Sequence, residues 1–224
     1  MLIYIVKSSD QRYSHLYNFL KIENDCEYSN TMPVKNNIKI LVLSMDGIDE
    51  FGFIKHTSLE LEKLISSNKI EKIYTGKVNN LLNRLCILNN IELCSFYDDE
   101  DYLKNENFLK MNVIKIFLEE KFSVQYEELN VLILNNNNLV QNLFIEKIRN
   151  IFKSDGDNID AIINFSCENL TVFKDKIIIE MNEITNIDLA ILLNCKKIYF
   201  INHLLSQYLT KSGGKLLYDS MVKR

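Results

Sequence analysis

No apolar run in the 224 residues approaches the roughly 20 needed to cross a bilayer, so a membrane span is not expected. The opening MLIYIVKSSDQR is too short an apolar stretch, and meets Asp10 too soon, to read as a secretory signal. A soluble cytoplasmic protein is the expectation. Cys-x-x-Cys pairs are also missing: Cys26, Cys86, Cys94, Cys167 and Cys195 are odd in number and scattered, which argues against a disulfide framework and a zinc knuckle. Reduced thiols follow. His15, His56 and His203 lie far apart, without metal-ligand spacing, so no metal is expected. Nor is there a basic cluster: 26 Lys and Arg against 30 Asp and Glu leave a net charge of -4, which disfavours nucleic acid as a partner. The single proline and six glycines, beside abundant Asn, Ile and Lys, are most simply the coding bias of an AT-rich genome.

What is present is an ordinary globular balance, 47% hydrophobic and 25% charged, in a chain long enough for one large or two small domains. Short β-branched runs alternate with stretches of helical spacing, the pattern of parallel α/β sheets. The expected strands are 2–6, 38–44, 72–75, 91–96, 130–134, 160–165, 176–180 and 197–201. The expected helices are 11–22, 58–66, 78–89, 139–152, 187–193 and 215–222. Thr57 and Glu60 have capping-box spacing for the second of these. Asp98 to Lys121 begins acidic, as a helix dipole favours, and continues with Phe108, Met111, Ile114 and Phe117 on one face. A long connecting helix therefore divides two lobes with a cleft between them: 1–100, 101–128 as the connector, and 129–224.

The place for chemistry is VLILNNNNLVQNLFIEKI, Val131 to Ile148, where a buried strand, tight loop and amphipathic helix stand as they do around a dinucleotide phosphate loop. The glycines of Gly-x-Gly-x-x-Gly are absent. Their slots hold Asn135, Asn137 and Val140. Asn135 tolerates a left-handed turn, but Asn137 puts a side chain where phosphate must sit, and Val140 a branched one into the helix–strand contact. An ordinary strand–loop–helix turn is the better reading. Glu168 is a ribose acceptor only if 160–165 is the second strand of such a half, and it lies about 30 residues past the loop rather than about 20.

Several fragments, in order along nearly the whole chain, resemble the A-subunit family of dipicolinate synthase. Ser9-Asp10-Gln11-Arg12 is similar to that family's Gly-Asp-x-Arg turn. LVLSMDGIDEFG keeps Gly47 and Gly52 of its strand and glycine loop, with Ser44 in place of proline. KIYTGKVNNLL keeps Gly76, Tyr97-Asp98-Asp99 precedes the connecting helix, and LTKSGGKLLYDSM resembles the Pro-Lys-Thr-Ala-Gly start of the last helix. The resemblance implies two Rossmann-like three-layer lobes with parallel sheets, the first flavodoxin-like. It also implies a role in spore formation, a flavoprotein partner in the same complex, and NADP-dependent oxidation of dihydrodipicolinate.

The chain departs from that family at its chemistry. The phosphate loop lacks glycine, and the Pro-Thr-Ala-Glu-Gly part of the connecting-helix motif is absent from 104–111. Only Lys153 to Ile159 separates the helix after the Asn run from the next strand, too little for a further strand and helix, so the second lobe reads as truncated. The expectation is a non-catalytic binding or scaffold protein without cofactor, partnered by the flavoprotein of the synthase or by itself; the alternative is an active NADP-dependent dehydrogenase component of that complex. A third reading makes it a small-carboxylate module in which Arg12, Thr210 and Lys211 contact the anion. Gly213-Gly214 reads either as bare amides for an anion at the last helix or as a flexible turn. His56 reads as a solvated loop residue, with a general base as the other possibility. Cys94 and Cys167 read as buried structural thiols, and Asp98 to Asp101 as a helix-start cluster rather than a cation site.

Overall fold

The structure is a computed structural model that describes residues 2–34, 37–135, 142–153, 158–166, 170–173, 175–181, 195 and 197–223. It divides into two compact units, Met1–Glu106 with Thr210–Arg224, and Asn107–Leu209. The expected helix 187–193 lies outside the described residues.

The first unit carries strands β1 (Leu2–Val6), β2 (Asp25–Ser29), β3 (Ile38–Val42), β4 (Lys72–Thr75) and β5 (Glu92–Ser95), all parallel, in the order β2-β1-β3-β4-β5. Its helices are α1 (Arg12–Leu20), α2 (Leu61–Ser67) and α3 (Asn80–Leu88), with the first residues of α4 (Glu100–Phe122). Alternation along β1 explains the layering. Leu2, Tyr4 and Val6 enter a core with Leu61, Leu64 and Ile65 of α2 and Leu82 of α3. Ile3 and Ile5 face the other side, packing with Tyr13 and Leu16 of α1 and Tyr102 of α4. Asp99 starts α4 by accepting the Tyr102 amide at 3.1 Å, so the acidic run does act as a helix start.

The second unit carries β6 (Val131–Leu134), β7 (Ala161–Asn164), β8 (Ile177–Glu180) and β9 (Ile198–Phe200), parallel and in the order β6-β7-β8-β9. The remainder of α4, with α5 (Asn142–Arg149) and α6 (Ile201–Tyr208), covers one face. Val113, Ile114, Phe117, Ile145, Ile148, Leu204 and Leu205 bury there against Val131, Ile163 and Ile179. The other face holds Ile162, Ile178, Leu170 and Cys195. The architecture is thus α/β with two parallel sheets, as expected from the sequence. None of the described helices is long and apolar enough to cross a membrane.

Three expectations are corrected. Thr57 and Glu60 form no capping box: Thr57 Oγ1 donates to the Ile54 carbonyl at 2.8 Å, accepts the Leu59 amide at 3.1 Å and closes a turn. Bridges pairing Ile48 with Ile54 and Phe53 with Glu60 hold that segment extended, so α2 begins only at Leu61. The stretch 129–224 is not one lobe, because the last helix, α7 (Thr210–Val222), belongs with the first unit and packs against α1. Finally, Gly213-Gly214 is neither a flexible turn nor an open amide cradle. Both residues are buried inside α7.

A Cβ on Gly213 would lie 2.5 Å from Arg12 Cδ, and one on Gly214 would lie 2.5 Å from His15 Cβ and 2.8 Å from the Arg12 carbonyl oxygen. Bare backbone lets two helices touch here, and backbone cannot retreat as a side-chain tip can. Gly214→Ala should therefore destabilise the protein by about 1–3 kcal/mol despite alanine's better helix propensity. Urea unfolding checks this, and an unchanged or raised midpoint would contradict the packing.

Candidate functional site

In open α/β sheets, ligand crevices form outside the carboxyl ends of strands where the strand order reverses. In the first unit that point lies between β1 and β3. The chain leaves β1 through Ser8 and Asp10 into α1, whose N-terminus is the usual seat for an anion. Here the chain supplies its own. Asp10 Oδ1 accepts from the Arg12 backbone amide and from Arg12 Nε, each at 3.0 Å, and Oδ2 lies 2.6 Å from Arg12 Nη2. Arg12 Nη1 reaches Glu106 Oε1 at 3.4 Å, which also accepts from the Tyr102 hydroxyl at 3.1 Å. Burial opposes the Arg12 charge, but Asp10 foremost, with Tyr102 and Glu106, outweighs it and raises the pKa well above the ordinary value. Burial, reinforced by neighbouring carboxylates, likewise raises the phenols of Tyr13, Tyr97 and Tyr102.

A second group stands where the chain leaves β3 and β4. Met45-Asp46-Gly47 is held from both sides: the Lys77 amide donates to the Met45 carbonyl at 2.8 Å, and the Lys55 amide to the Gly47 carbonyl at 3.0 Å. Gly47 has φ +67, and a Cβ there would lie 2.6 Å from the Lys77 carbonyl oxygen, so only glycine permits this approach. His56, itself at φ +65, is exposed and puts Nε2 3.1 Å from Asp46 Oδ2. Burial lowers the Lys77 pKa; Asp46 works against that shift and Lys55 adds to it. One carboxylate, two lysines and a histidine thus share one strand edge.

Buried polar groups without partners concentrate at the same kind of place. Among the described residues they are Tyr13 Oη, Ser44 Oγ and Asn135 Oδ1. Ser44 follows β3 and Asn135 follows β6, each at a carboxyl edge, whereas Tyr13 lies in the first turn of α1. In the second unit, Asn164 at the end of β7 donates from Nδ2 to Glu180 Oε2 at 2.6 Å and accepts the Ser166 amide at 3.1 Å. Glu180, at the end of β8, is fully buried.

The sequence candidates are not brought together as one anion site. Arg12 is 3% exposed and committed to carboxylates of its own chain. Thr210 Oγ1 lies 3.2 Å from His15 Nε2, Gly213 packs on the Arg12 side chain, and Lys211 is exposed on α7. Asn137, Val140, Cys167 and Glu168 lie outside the described residues; Cys94 is buried in the first unit's core. Sequence reasoning missed Asp46, Lys77, Glu106 and Glu180. Gly47 and Gly76, flanking the first two, are the available signal; the burial of the two glutamates has none in the pattern.

Truncating Arg12 strands two buried or half-buried carboxylates. Arg12→Met should cost about 3–5 kcal/mol, and adding Glu106→Gln should recover part of that loss. Paired urea titrations measure both; a double variant no more stable than Arg12→Met would contradict the coupling.

No known family profile matches the sequence, and no curated protein sequence is a detectable relative. Among solved structures, the chain is similar to the A-subunit of dipicolinate synthase from Bacillus halodurans, with TM-score 0.67 and 14% identity over 99% of this chain and 96% of that one. It is similar to the A chain of dipicolinate synthase from Bacillus subtilis, with TM-score 0.59 and 11% identity over 100% and 98%. The apo D-lactate dehydrogenase of Escherichia coli matches with TM-score 0.55 and 7% identity over 99% and 95%. At these identities the likeness is one of fold: the chain has a Rossmann-like α/β architecture.

Proposed function

We propose that the chain is a binding or scaffold protein on the fold of the dipicolinate synthase A-subunit, working without pyridine-dinucleotide chemistry. The strand order of the second sheet carries this reading. A dinucleotide-binding sheet runs 3-2-1-4-5-6, so the loops after its first and fourth strands part in opposite directions and open the crevice that receives the pyrophosphate. In β6-β7-β8-β9 each strand is added on the same side of the last, and the described strands contain no reversal.

The residues of that edge do not fit the cofactor. Asn135 occupies the first glycine slot with a buried amide oxygen. Glu180 brings a carboxylate to the edge two strands from β6, about 10 Å at ordinary strand spacing, which disfavours an incoming diphosphate. Ligand recognition then falls to the first unit, around Asp46, Lys55, His56 and Lys77. The sequence resemblance supplies the setting: spore formation, with the flavoprotein of the synthase or a second copy of this chain as partner. A second reading, an NADP-dependent dehydrogenase component that oxidises dihydrodipicolinate, is favoured by the fold shared with D-lactate dehydrogenase along almost the whole chain.

Calorimetric titration with NADPH and NADP separates the two. The binding-protein reading expects no saturable heat and no thermal shift up to millimolar dinucleotide, whereas micromolar saturable binding would establish the second reading in its place.

A further inference from the structure

Tyr13 and Ser44 are buried, yet Tyr13 Oη and Ser44 Oγ have no hydrogen-bond partner among the described residues. A buried hydroxyl left unbonded costs stability, so a folded chain keeps one where a further group completes it. We propose that the crevice between the start of α1 and the carboxyl edge of β3 binds a small neutral polyol, one oxygen of which bridges Tyr13 and Ser44 while a neighbouring hydroxyl donates to Asp46. The proposal rests on placing ligand recognition in the first unit and names the ligand class of that unit.

The two hydroxyls belong to one face of the sheet. Ile40 and Val42 pack with Tyr13, whereas Leu41 and Leu43 pack on the opposite face, so the alternation of β3 turns Ser44 to the side of Tyr13. The Tyr13 phenol also lies in the field of Asp46 and Tyr97, which puts it near the loop that Ser44 opens. Neither hydroxyl bonds the other, which leaves both for a single oxygen placed between them. Asp46 stands two residues beyond Ser44. His56 Nε2 engages its Oδ2 at 3.1 Å, and Oδ1 meets no donor among the described residues. The Asp46 side chain is 43% exposed, so a ligand can enter along it from solvent.

Charge selects the class of ligand. Asp10, Asp46 and Glu106 stand against Arg12, Lys55 and Lys77 around these loops, so the formal charges cancel and neither sign is drawn in. The seat an anion would take at the start of α1 is filled by Asp10. A neutral hydroxyl needs no counter-charge when it is buried, and it both donates and accepts, as Tyr13 and Ser44 do. Two such groups on adjacent carbons meet the pair of hydroxyls with one oxygen and the Asp46 carboxylate with the other.

The test uses the full chain and erythritol, a short polyol without charge. Erythritol should raise the unfolding temperature saturably, and the midpoint concentration of that rise measures its affinity. Tyr13→Phe and Ser44→Ala each remove only an unbonded hydroxyl, so both should unfold no lower than the parent chain, and each should weaken erythritol binding about tenfold. No saturable rise with erythritol, or one unchanged in both variants, would overturn the proposal. So would a fall of more than about 3 °C in either variant without ligand, which would show its hydroxyl already bonded. Saturable binding of acetate or methylammonium that the same variants abolish would overturn the neutral class. Variant-sensitive erythritol binding beside saturable NADPH binding would sink the cofactor-free reading alone; indifference to erythritol without NADPH binding would sink the polyol site alone.

Discussion

A guanidinium 3% exposed to solvent sets the constraints on the first unit. Arg12 cannot be buried without counter-charges, since an unpaired ion in the interior costs several kcal/mol. Asp10 and Glu106 supply them from positions far apart in the sequence, one in the turn after β1 and one in α4. The methylene stem of the same side chain forms the surface on which Gly213 of α7 rests. One residue therefore ties together the first helix, the start of the long helix and the last helix. The return of the chain's end to the first unit follows from this packing.

The same ion pair decides what the β1/β3 edge can do. A helix N-terminus at a switch point ordinarily offers its amides to a ligand's phosphate or carboxylate. Asp10 takes that role and neutralises the nearest cation, so a further anion would meet satisfied donors and two carboxylates. A second group of charged residues stands one strand away, at the β3 and β4 loops, where glycine at 47 lets the turn that carries Asp46 approach the Lys77 backbone. Among the described residues, polar groups buried without partners at two strand ends, Ser44 and Asn135, mark these edges as places where packing has not been optimised for stability alone.

Much of this is legible in the sequence because parallel strands are buried on both faces and read as continuous apolar runs. LIYIV, KIYT and KIIIE announce themselves. Strand β2, DCEYS, does not, because an edge strand needs no apolar run and its residues are half-buried or exposed. Helix α6 is hidden for another reason: it starts at Ile201 directly after β9, with Phe200 at its cap and no side-chain cap bond, so no punctuation separates strand from helix. The site is less legible than the fold. Arg12 reads as a ligand contact because sequence shows a charge but not the carboxylate 94 positions away that consumes it. Gly213-Gly214 reads as a turn because glycine signals flexibility in sequence, whereas here the missing Cβ serves the closeness of two helices.

The central proposal is that the described strands of the second sheet, which contain no reversal, open no crevice for a diphosphate. Hydrogen–deuterium exchange of the full chain, with and without millimolar NADPH, reads this most directly through the amides of β6 and α5. Identical exchange in both conditions is the predicted result. Slowed exchange confined to those two elements on adding NADPH would contradict it.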